Sequence, residues 1–346
     1  MSKTSDVHTS SDGGKSFSQK FFEPSNYIYE AIKENSQQDA RDFLKYRKEW
    51  DASKKFEYES PFPIYILTEM TFSCNYRCPQ CVLGDNSIQK ELMPSSPKMS
   101  FELFKKIIDE GKSNNCKSLC VNNTNEPLLL DDLSERIEYA RSQGFLDILM
   151  NTNGELFNNE NSEKLIKSGL TRLMISVDAH SSETFSKIRV GGNYEKVKEN
   201  IIKLVKIRDQ LRLKLPLIRT SFVLQKNNRH ELDEFKEYWQ KIVDYVHIQE
   251  YAKPYETAED SMVEGYKPDI IENFKCDQPW NRVMIRADGE VHPCCSFYTY
   301  ELKMGNLKNS TISEIWNSEN FKKLRKLHSE GRYRDNSTCS KCINSY

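Results

Sequence analysis

From Pro61 onward, short apolar runs alternate along the chain with longer amphipathic and charged segments. The apolar runs have the length of buried strands, and they predict strands over residues 64–67, 118–122, 146–151, 172–177, 218–224 and 245–250. The segments between them repeat apolar residues at helical spacing, which predicts helices over residues 100–112, 131–143, 162–167, 194–208 and 231–242. Ser100 fits the N-cap of the first of these helices. Six β/α repeats predict an α/β fold with a parallel sheet and right-handed crossovers.

The same patterns divide the chain into four parts. Residues 1–21 are polar and rich in Ser, Thr and Lys, which predicts a disordered tail. Residues 22–58 carry apolar side chains near helical spacing and predict a helical leader, which is either a packing extension or a cap for a substrate or partner. The β/α core occupies residues 59–265, and a cysteine-rich module follows over residues 266–346.

Composition limits the classes of partner. The chain has 50 Lys and Arg against 51 Asp and Glu, so no basic excess exists to neutralise phosphates and we do not expect nucleic acid as a partner. No apolar run reaches the ~20 residues that span a bilayer, and the N-terminal segment lacks the apolar stretch of a signal peptide. We therefore expect a cytoplasmic protein without membrane association. In that compartment, ten cysteines favour metal or redox chemistry over disulfides.

The first candidate site is a run of three cysteines just after the first predicted strand. Cys74, Cys78 and Cys81 have the spacing C-x3-C-x2-C, so three thiolates lie within eight residues. Thiolates are the usual protein ligands of iron–sulfur clusters, and three of them leave one iron of a four-iron (4Fe–4S) cluster open. Zinc is the alternative metal, but a structural zinc site takes four protein ligands and only three are local here. Cys116 and Cys120, which flank the second predicted strand, are expected to be buried in the core.

A second candidate metal site lies in the C-terminal module. Asp288-Gly289 stands between two short apolar runs and predicts a β-hairpin, which would bring Cys276 close to Cys294. Cys339 and Cys342 form a C-x2-C pair near the end of the chain. Together these residues supply four thiolates, and their spacing alone does not separate a zinc ion from an iron–sulfur cluster.

The run Cys74-Asn75-Tyr76-Arg77-Cys78-Pro79-Gln80-Cys81 resembles the cluster motif of the radical S-adenosylmethionine (radical SAM) superfamily. The resemblance implies a partial (β/α)6 TIM-like barrel, with SAM bound to the open iron and cleaved to a 5′-deoxyadenosyl radical. It also implies cofactor-binding roles at Thr124, Asn125, Glu126, Asn153, Ser176 and Arg189. Thr124-Asn125-Glu126-Pro127 resembles the family segment that binds the SAM amino group, and Arg189 resembles the arginine that pairs with the SAM carboxylate. Gln80 departs from the family, which often has an aromatic residue there near the adenine.

The C-terminal module resembles the SPASM/twitch extension of radical SAM enzymes, which holds auxiliary clusters. Cys276, Cys294, Cys339 and Cys342 would then ligate one auxiliary 4Fe–4S cluster, in an arrangement similar to that of 2-deoxy-scyllo-inosamine dehydrogenases. Cys295 is extra; it is a packed thiol, an alternative ligand, or a catalytic hydrogen-atom donor near the substrate.

The resemblance leads us to expect a small carbohydrate- or cyclitol-type substrate that is oxidised or epimerised, with an electron donor such as flavodoxin or ferredoxin. Modification of a ribosomally made peptide or protein is the alternative within the enzyme class. A non-catalytic metal-binding scaffold is the alternative outside it.

Overall fold

The computed structural model describes residues 7–9, 15–17, 23–251 and 274–344. Within these residues, eleven strands form one sheet. Its strands are β1 (Val7–Thr9), β2 (Lys15–Phe17), β3 (Tyr65–Glu69), β4 (Ser118–Cys120), β5 (Asp147–Thr152), β6 (Arg172–Ser176), β7 (Leu217–Leu224), β8 (Tyr245–Glu250), β9 (Arg282–Arg286), β10 (Glu290–His292) and β11 (Gly305–Asn306). The order across the sheet is β1-β2-β8-β7-β6-β5-β4-β3-β9-β10-β11.

Helices connect and cover these strands. In the leader and core they are α1 (Pro24–Asn35), α2 (Gln37–Lys54), α3 (Asn86–Glu91), α4 (Phe101–Ser113), α5 (Leu133–Ser142), α6 (Asn159–Lys167), α7 (Ser182–Ile188), α8 (Tyr194–Gln210) and α9 (Leu232–Trp239). In the C-terminal module they are α10 (Gln278–Asn281), α11 (Ile312–Trp316), α12 (Glu319–Ser329) and α13 (Ser337–Ile343). None of the helices in the described ranges is long and apolar enough to cross a membrane.

The predicted β/α core is confirmed. Strands β3 to β8 are parallel, follow one another in chain order and begin or end within two residues of the predicted limits. The N-cap prediction is also confirmed, because the Ser100 hydroxyl accepts a hydrogen bond of 3.0 Å from the Leu103 N–H.

Each core strand turns alternate residues to opposite faces of the sheet. One face, with Ile66, Ile148 and Ile218, belongs to the larger apolar core. Leu67, Cys120 and Leu217 belong to a second cluster, which also takes in the leader helices. The expected burial of Cys116 and Cys120 is confirmed, since they are 5% and 2% exposed.

The helical leader lies at the N-terminal ends of the strands. The Tyr46 hydroxyl in α2 donates to Asp147 Oδ2 at 3.1 Å, and Asp147 is the first residue of β5. Trp50 packs edge-on against Tyr65, the first residue of β3, with ring centroids 5.6 Å apart. The leader therefore packs at the end of the sheet opposite the three-cysteine run, which follows the C-terminal end of β3.

The N-terminal segment differs from the expected disordered tail. Two three-residue strands within it, β1 and β2, form an antiparallel pair, and β2 pairs with β8. The physical reason is that β8 would otherwise present an edge of unpaired backbone N–H and C=O groups. Residues 1–6, 10–14 and 18–22 lie outside the described residues, as does the expected boundary at residue 266, which falls within residues 252–273.

The C-terminal module continues the sheet of the core. Strand β9 pairs in parallel with β3 through five residue pairs, from Tyr65 with Arg282 to Glu69 with Arg286. The predicted hairpin is confirmed, because β9 and β10 are antiparallel around Asp288-Gly289. Gly289 has a φ of +85° there, a conformation that favours glycine.

Candidate active site

The three-cysteine loop folds back on itself immediately after β3. The Cys81 N–H donates to the Cys78 carbonyl at 3.0 Å, and the Gly84 N–H donates to the Cys81 carbonyl at 2.8 Å. A Cβ at position 84 would lie 2.2 Å from the Cys78 oxygen, so this close approach requires glycine. The turn places Cys74, Cys78 and Cys81 near enough for each thiolate charge to act on its neighbours.

The surroundings of these sulfurs disfavour free thiolates. Burial raises the pKa of Cys74 to about 11 and that of Cys81 to about 12, and the charges of neighbouring cysteines act in the same direction. Three thiolates can therefore be held together here only beside compensating positive charge, which iron supplies. Among the described residues, no three His, Cys, Asp or Glu side chains are arranged so that they could bind one metal ion together. In a four-iron cluster, each thiolate binds a different iron.

Glu126 lies in the loop after β4 and contacts the loops that follow β3 and β5. Its backbone N–H donates to the Ser73 carbonyl at 2.9 Å, which ties it to the cysteine loop. Its carboxylate accepts hydrogen bonds from the Thr152 hydroxyl (2.7 Å), the Asn153 N–H (2.8 Å) and the Leu128 N–H (3.1 Å). Burial raises the pKa of Glu126 to about 7. A carboxylate offers about four acceptor positions, so one remains for a ligand.

The other residues implied in SAM binding lie on the same end of the sheet. The Asn153 side chain donates to Asn75 Oδ1 at 2.8 Å and approaches Cys74 Sγ at 3.9 Å. Ser176 ends β6 and pairs in register with Ser221 of β7. Arg189 follows α7, and its guanidinium lies 3.9 Å from Cys78 Sγ. Arg189 also forms a buried ion pair with Asp178, which the sequence alone did not indicate.

Several buried polar atoms around the cysteine loop have no hydrogen-bond partner among the described residues. They are both amide atoms of Gln80, the Asn125 Nδ2 and the Arg189 Nε. Buried polar groups are almost always hydrogen-bonded in native proteins. These atoms therefore suit a polar ligand such as SAM, which carries an adenine, a ribose, an amino group and a carboxylate.

The four predicted cysteines of the C-terminal module are also close together. Burial raises the pKa of Cys276, and the nearby Cys342 and Cys339 raise it further. Burial likewise raises the pKa of Cys294, with the charges of Cys295, Cys342 and Cys276 acting in the same direction. Cys339 and Cys342 are three residues apart on α13, a spacing that places two side chains on one helix face. This set fits a four-thiolate cluster by the same charge argument as the first site.

Cys295 lies next to this set, near enough for its charge to raise the pKa of both Cys294 and Cys342. Its Sγ lies 3.8 Å from Gln278 Oε1, and its side chain packs against the cluster that contains Leu67 and Cys120. All ten cysteines are free thiols in the structure.

Two groups of functional interest had no signal in the sequence. His328 Nε2 lies 3.3 Å from Cys339 Sγ. Glu69, Arg286 and Tyr300 form a buried polar group between the two cysteine sites. These residues are separated by tens to hundreds of positions along the chain, so only the tertiary fold reveals their contacts.

Comparison with known proteins gives matches over both parts of the chain. The model of the radical SAM superfamily matches residues 68–238, and that of the SPASM iron–sulfur cluster-binding domain matches residues 276–343. A tungsten-containing aldehyde ferredoxin oxidoreductase cofactor-modifying protein from Pyrococcus furiosus is 26% identical over 320 residues, which cover 80% of this chain and 87% of that protein. A GTP 3′,8-cyclase from Clostridium botulinum is 26% identical over 281 residues, which cover 71% of this chain and 84% of the relative.

Solved structures share the fold. SuiB from Streptococcus suis bound to S-adenosylmethionine has a TM-score of 0.61 at 13% identity, over 94% of this chain and 90% of that one. BtrN in complex with AdoMet and 2-DOIA has a TM-score of 0.55 at 17% identity, over 82% of this chain and 94% of that one. The two matched domains imply a 4Fe–4S cluster that binds SAM and an auxiliary 4Fe–4S cluster. The chain is a radical SAM enzyme with a C-terminal SPASM domain, and it belongs to the radical SAM superfamily.

Proposed function

We propose that this enzyme uses SAM to remove a hydrogen atom from a small carbohydrate- or cyclitol-type substrate, leading to oxidation or epimerisation. When bound, SAM and the reduced cluster supply a 5′-deoxyadenosyl radical. The observation that carries the proposal is the convergence of Cys74, Cys78 and Cys81 with Glu126, Asn153 and Arg189 at the C-terminal ends of the core strands. Sites in parallel β/α folds gather at this end of the sheet.

In this proposal the chain holds and orients the cofactors. Cys74, Cys78 and Cys81 ligate the SAM-binding cluster, and Cys276, Cys294, Cys339 and Cys342 ligate one auxiliary cluster. Glu126 accepts from the SAM amino group, together with the backbone carbonyls of Thr124 and Asn125 in the same loop. Arg189 pairs with the SAM carboxylate through its fork of N–H donors. Asn153 and Ser176 complete the polar surroundings.

The face of the sheet that carries Cys120 supports a hydroxyl-rich substrate. Asn151, Ser176, Ser221 and His247 share that face by strand alternation and register. These side chains donate and accept hydrogen bonds without a permanent charge. BtrN, whose crystal structure contains 2-DOIA, shares the fold, but so does SuiB, which has been solved with its precursor peptide SuiA. Peptide modification is therefore the second candidate.

Anaerobic reconstitution with iron and sulfide tests the cofactor assignment. We expect about eight irons per chain, as two four-iron clusters require, and release of 5′-deoxyadenosine on reduction. Replacing Cys74, Cys78 and Cys81 by Ala should remove about four irons and abolish SAM cleavage, whereas the buried Cys116→Ala should retain both. Two zinc ions and no SAM cleavage would instead support a non-catalytic scaffold.

If the reaction is an epimerisation, Cys295 is proposed as the donor that returns a hydrogen atom to the substrate radical, because its side chain packs beside Leu67 and Cys120 and lies 3.8 Å from Gln278 Oε1. Cys295→Ala should keep the full iron content and SAM cleavage but lose product formation. Loss of about four irons in this variant would identify Cys295 as a ligand. Normal product formation would identify it as a packed thiol.

We further propose an electron donor such as flavodoxin or ferredoxin as the reductant. We propose the reducing cytoplasm as the compartment, since the ligand thiolates must stay reduced. The proposed electron donor is tested by mixing reduced, purified flavodoxin with the reconstituted enzyme and monitoring reduction of the clusters by their absorbance.

A further inference from the structure

A buried polar group joins the C-terminal module to the core beside the first cluster loop. The Arg286 Nε donates to Glu69 Oε1 at 2.9 Å, and the Tyr300 hydroxyl contacts the other oxygen of the same carboxylate. The Tyr300 oxygen also lies 2.8 Å from Thr124 Oγ1. All four side chains are at most 5% exposed. Glu69 and Thr124 belong to the core, whereas Arg286 and Tyr300 belong to the C-terminal module.

The direction of these hydrogen bonds follows from counting protons. A phenol carries one proton, and an ionised carboxylate can only accept. Tyr300 therefore donates to Glu69, which is paired with Arg286, and accepts from the Thr124 hydroxyl. Thr124 Oγ1 in turn accepts from Asn123 Nδ2 at 3.3 Å. Asn123 Nδ2 also lies 3.4 Å from the Tyr300 oxygen. Tyr300 of the other domain and Asn123 of the same loop thus together set the orientation of the Thr124 side chain.

Tyr300 is fixed from its own side by the auxiliary cysteine loop. It lies in a 3-10 turn over residues 297–301, which directly follows Cys294 and Cys295. The Thr299 hydroxyl, next to Tyr300, donates to the Ser296 carbonyl at 2.8 Å and lies 3.2 Å from the Cys294 carbonyl. The Ser296 hydroxyl, which caps the same turn, lies 3.0 Å from Cys342 Sγ. The turn that carries Tyr300 is therefore built on the ligands proposed for the auxiliary cluster.

Thr124 connects this buried polar group to the loop of the SAM-binding cluster. Thr124 is two residues before Glu126, whose N–H donates to the Ser73 carbonyl next to Cys74. The rings of Phe72 and His292 pack against the Tyr300 ring, and the centroid of each lies 5.9 Å from the Tyr300 centroid. The Arg286 guanidinium lies 4.6 Å from the ring centroid, a favourable cation–π contact.

We propose that Tyr300 is a positioning residue, through which the auxiliary-cluster domain sets the conformation of the 122–126 loop that receives SAM. The proposal rests on the SAM site assigned to that loop under the proposed function. It makes SAM affinity dependent on a hydroxyl group outside the core domain.

The test is SAM binding by the full-length, reconstituted enzyme. Tyr300→Phe keeps the ring and its packing but removes the hydroxyl, so we expect the Kd for SAM to rise about 3- to 10-fold, the effect of one hydrogen bond. The iron content should not change, and the KM for SAM should rise more than kcat falls. Binding is measured by equilibrium dialysis with labelled SAM, and the cluster signal on SAM addition by electron paramagnetic resonance.

A double-mutant cycle separates positioning from a general structural effect. Thr124→Val removes the partner hydroxyl from the core side, and the variant with both changes should bind SAM no more weakly than the weaker single variant. Tyr139→Phe is the matched control, because Tyr139 donates to a carboxylate, Asp109, at 2.6 Å on the surface. That variant should bind SAM as the wild type does.

Unchanged SAM affinity in Tyr300→Phe, or additive effects in the cycle, would overturn this inference while leaving the proposed function intact. Loss of iron in Tyr300→Phe would also overturn it, because Tyr300 would then hold a cluster and not the loop. If Tyr300→Phe does not fold, Thr124→Val alone must still weaken SAM binding. Absence of SAM binding by the wild-type enzyme would overturn the proposed function and this inference with it.

Discussion

His328 is a buried side chain that contacts a proposed ligand of the auxiliary cluster. It is 1% exposed, burial lowers its pKa to about 4, and its Nδ1 has no hydrogen-bond partner among the described residues. Its Nε2 lies 3.3 Å from Cys339 Sγ. A cluster-bound thiolate has no proton to give, so in the loaded enzyme the imidazole Nε2–H must be the donor. Hydrogen bonds to cluster sulfurs are one means by which proteins set reduction potentials.

Replacing His328 should change the reduction potential of the auxiliary cluster but not that of the SAM-binding cluster. In the wild type, the hydrogen bond from His328 stabilises the reduced cluster, which carries the more negative charge. His328→Leu removes this bond, so we expect the reduction potential of the auxiliary cluster to fall by on the order of 50 mV. His328→Gln, which keeps an N–H donor, should shift it less. A spectroscopic redox titration measures both, and the exposed His230→Leu is the control. Equal potentials in His328→Leu and the wild type would contradict the prediction.

At the scale of elements, a buried ion pair joins two neighbouring strands and also receives a hydrogen bond from α2. Arg172 Nε at the start of β6 lies 2.8 Å from Asp147 Oδ1 at the start of β5, and Tyr46 of α2 donates to the same carboxylate. Burial by itself would raise the pKa of Asp147, but Arg172 and the neighbouring hydrogen bonds outweigh it and hold this pKa below its usual value. The pair lies at the end of the sheet opposite the cysteine loop.

Asp147→Asn should reduce the free energy of unfolding by about 3–5 kcal/mol, because it leaves the Arg172 charge buried without its partner. Glu160→Gln, which breaks the exposed Glu160–Lys164 pair, should cost less than about 0.5 kcal/mol. Urea denaturation measures both. SAM cleavage per loaded cluster should persist in Asp147→Asn, and a loss of cleavage at full iron content would contradict the assignment of this pair to stability.

The same pair predicts a pH dependence. Since the folded-state pKa of Asp147 lies below its unfolded value of about 3.9, its stabilisation is present above that pH and is lost as the pH falls through the folded-state pKa. The stability difference between the wild type and Asp147→Asn should therefore shrink in acid, as measured by urea denaturation at several pH values. A difference that grows below pH ~4 would contradict the sign.

At the scale of the whole molecule, the core and the C-terminal module form one continuous sheet and share one apolar core. Strand β9 extends the parallel sheet beyond β3, and the larger core cluster includes Ile66 together with Val283 and Trp316. The Trp316 indole N–H donates to the Ser60 carbonyl at 2.7 Å, just before the core begins. Tyr300 thus acts between two parts whose relative placement the sheet already fixes.

Trp316→Phe should therefore loosen both parts together. It removes the indole donor and some buried volume, and we expect faster hydrogen exchange in peptides from β3 and from the β9–β10 hairpin alike. Trp239→Phe is the control, because the Trp239 indole N–H has no hydrogen-bond partner among the described residues and its ring packs on Phe235 and Tyr238 of its own helix, α9. Faster exchange confined to residues 282–292 would show that the module unfolds independently of the core.

Local sequence patterns are sufficient to predict the secondary-structure elements and the metal-binding residue types. Strand alternation and helical spacing depend on nearby residues, so the six core strands, the Ser100 cap and the Asp288-Gly289 hairpin followed from local patterns. The cysteine spacing and the neighbouring strand-end segments indicate the radical SAM family, which the family match confirms.

Contacts between side chains that are distant in the sequence depend on the tertiary fold. Thr124 and Tyr300 are 176 positions apart, and β3 meets β9 across more than two hundred residues. The ion pair of Arg189 with Asp178, the contact of His328 with Cys339 and the strand that covers the edge of β8 were likewise absent from the local pattern. Local spacing fixes the direction of each side chain relative to its own helix or strand, whereas contacts between elements depend on the path of the whole chain.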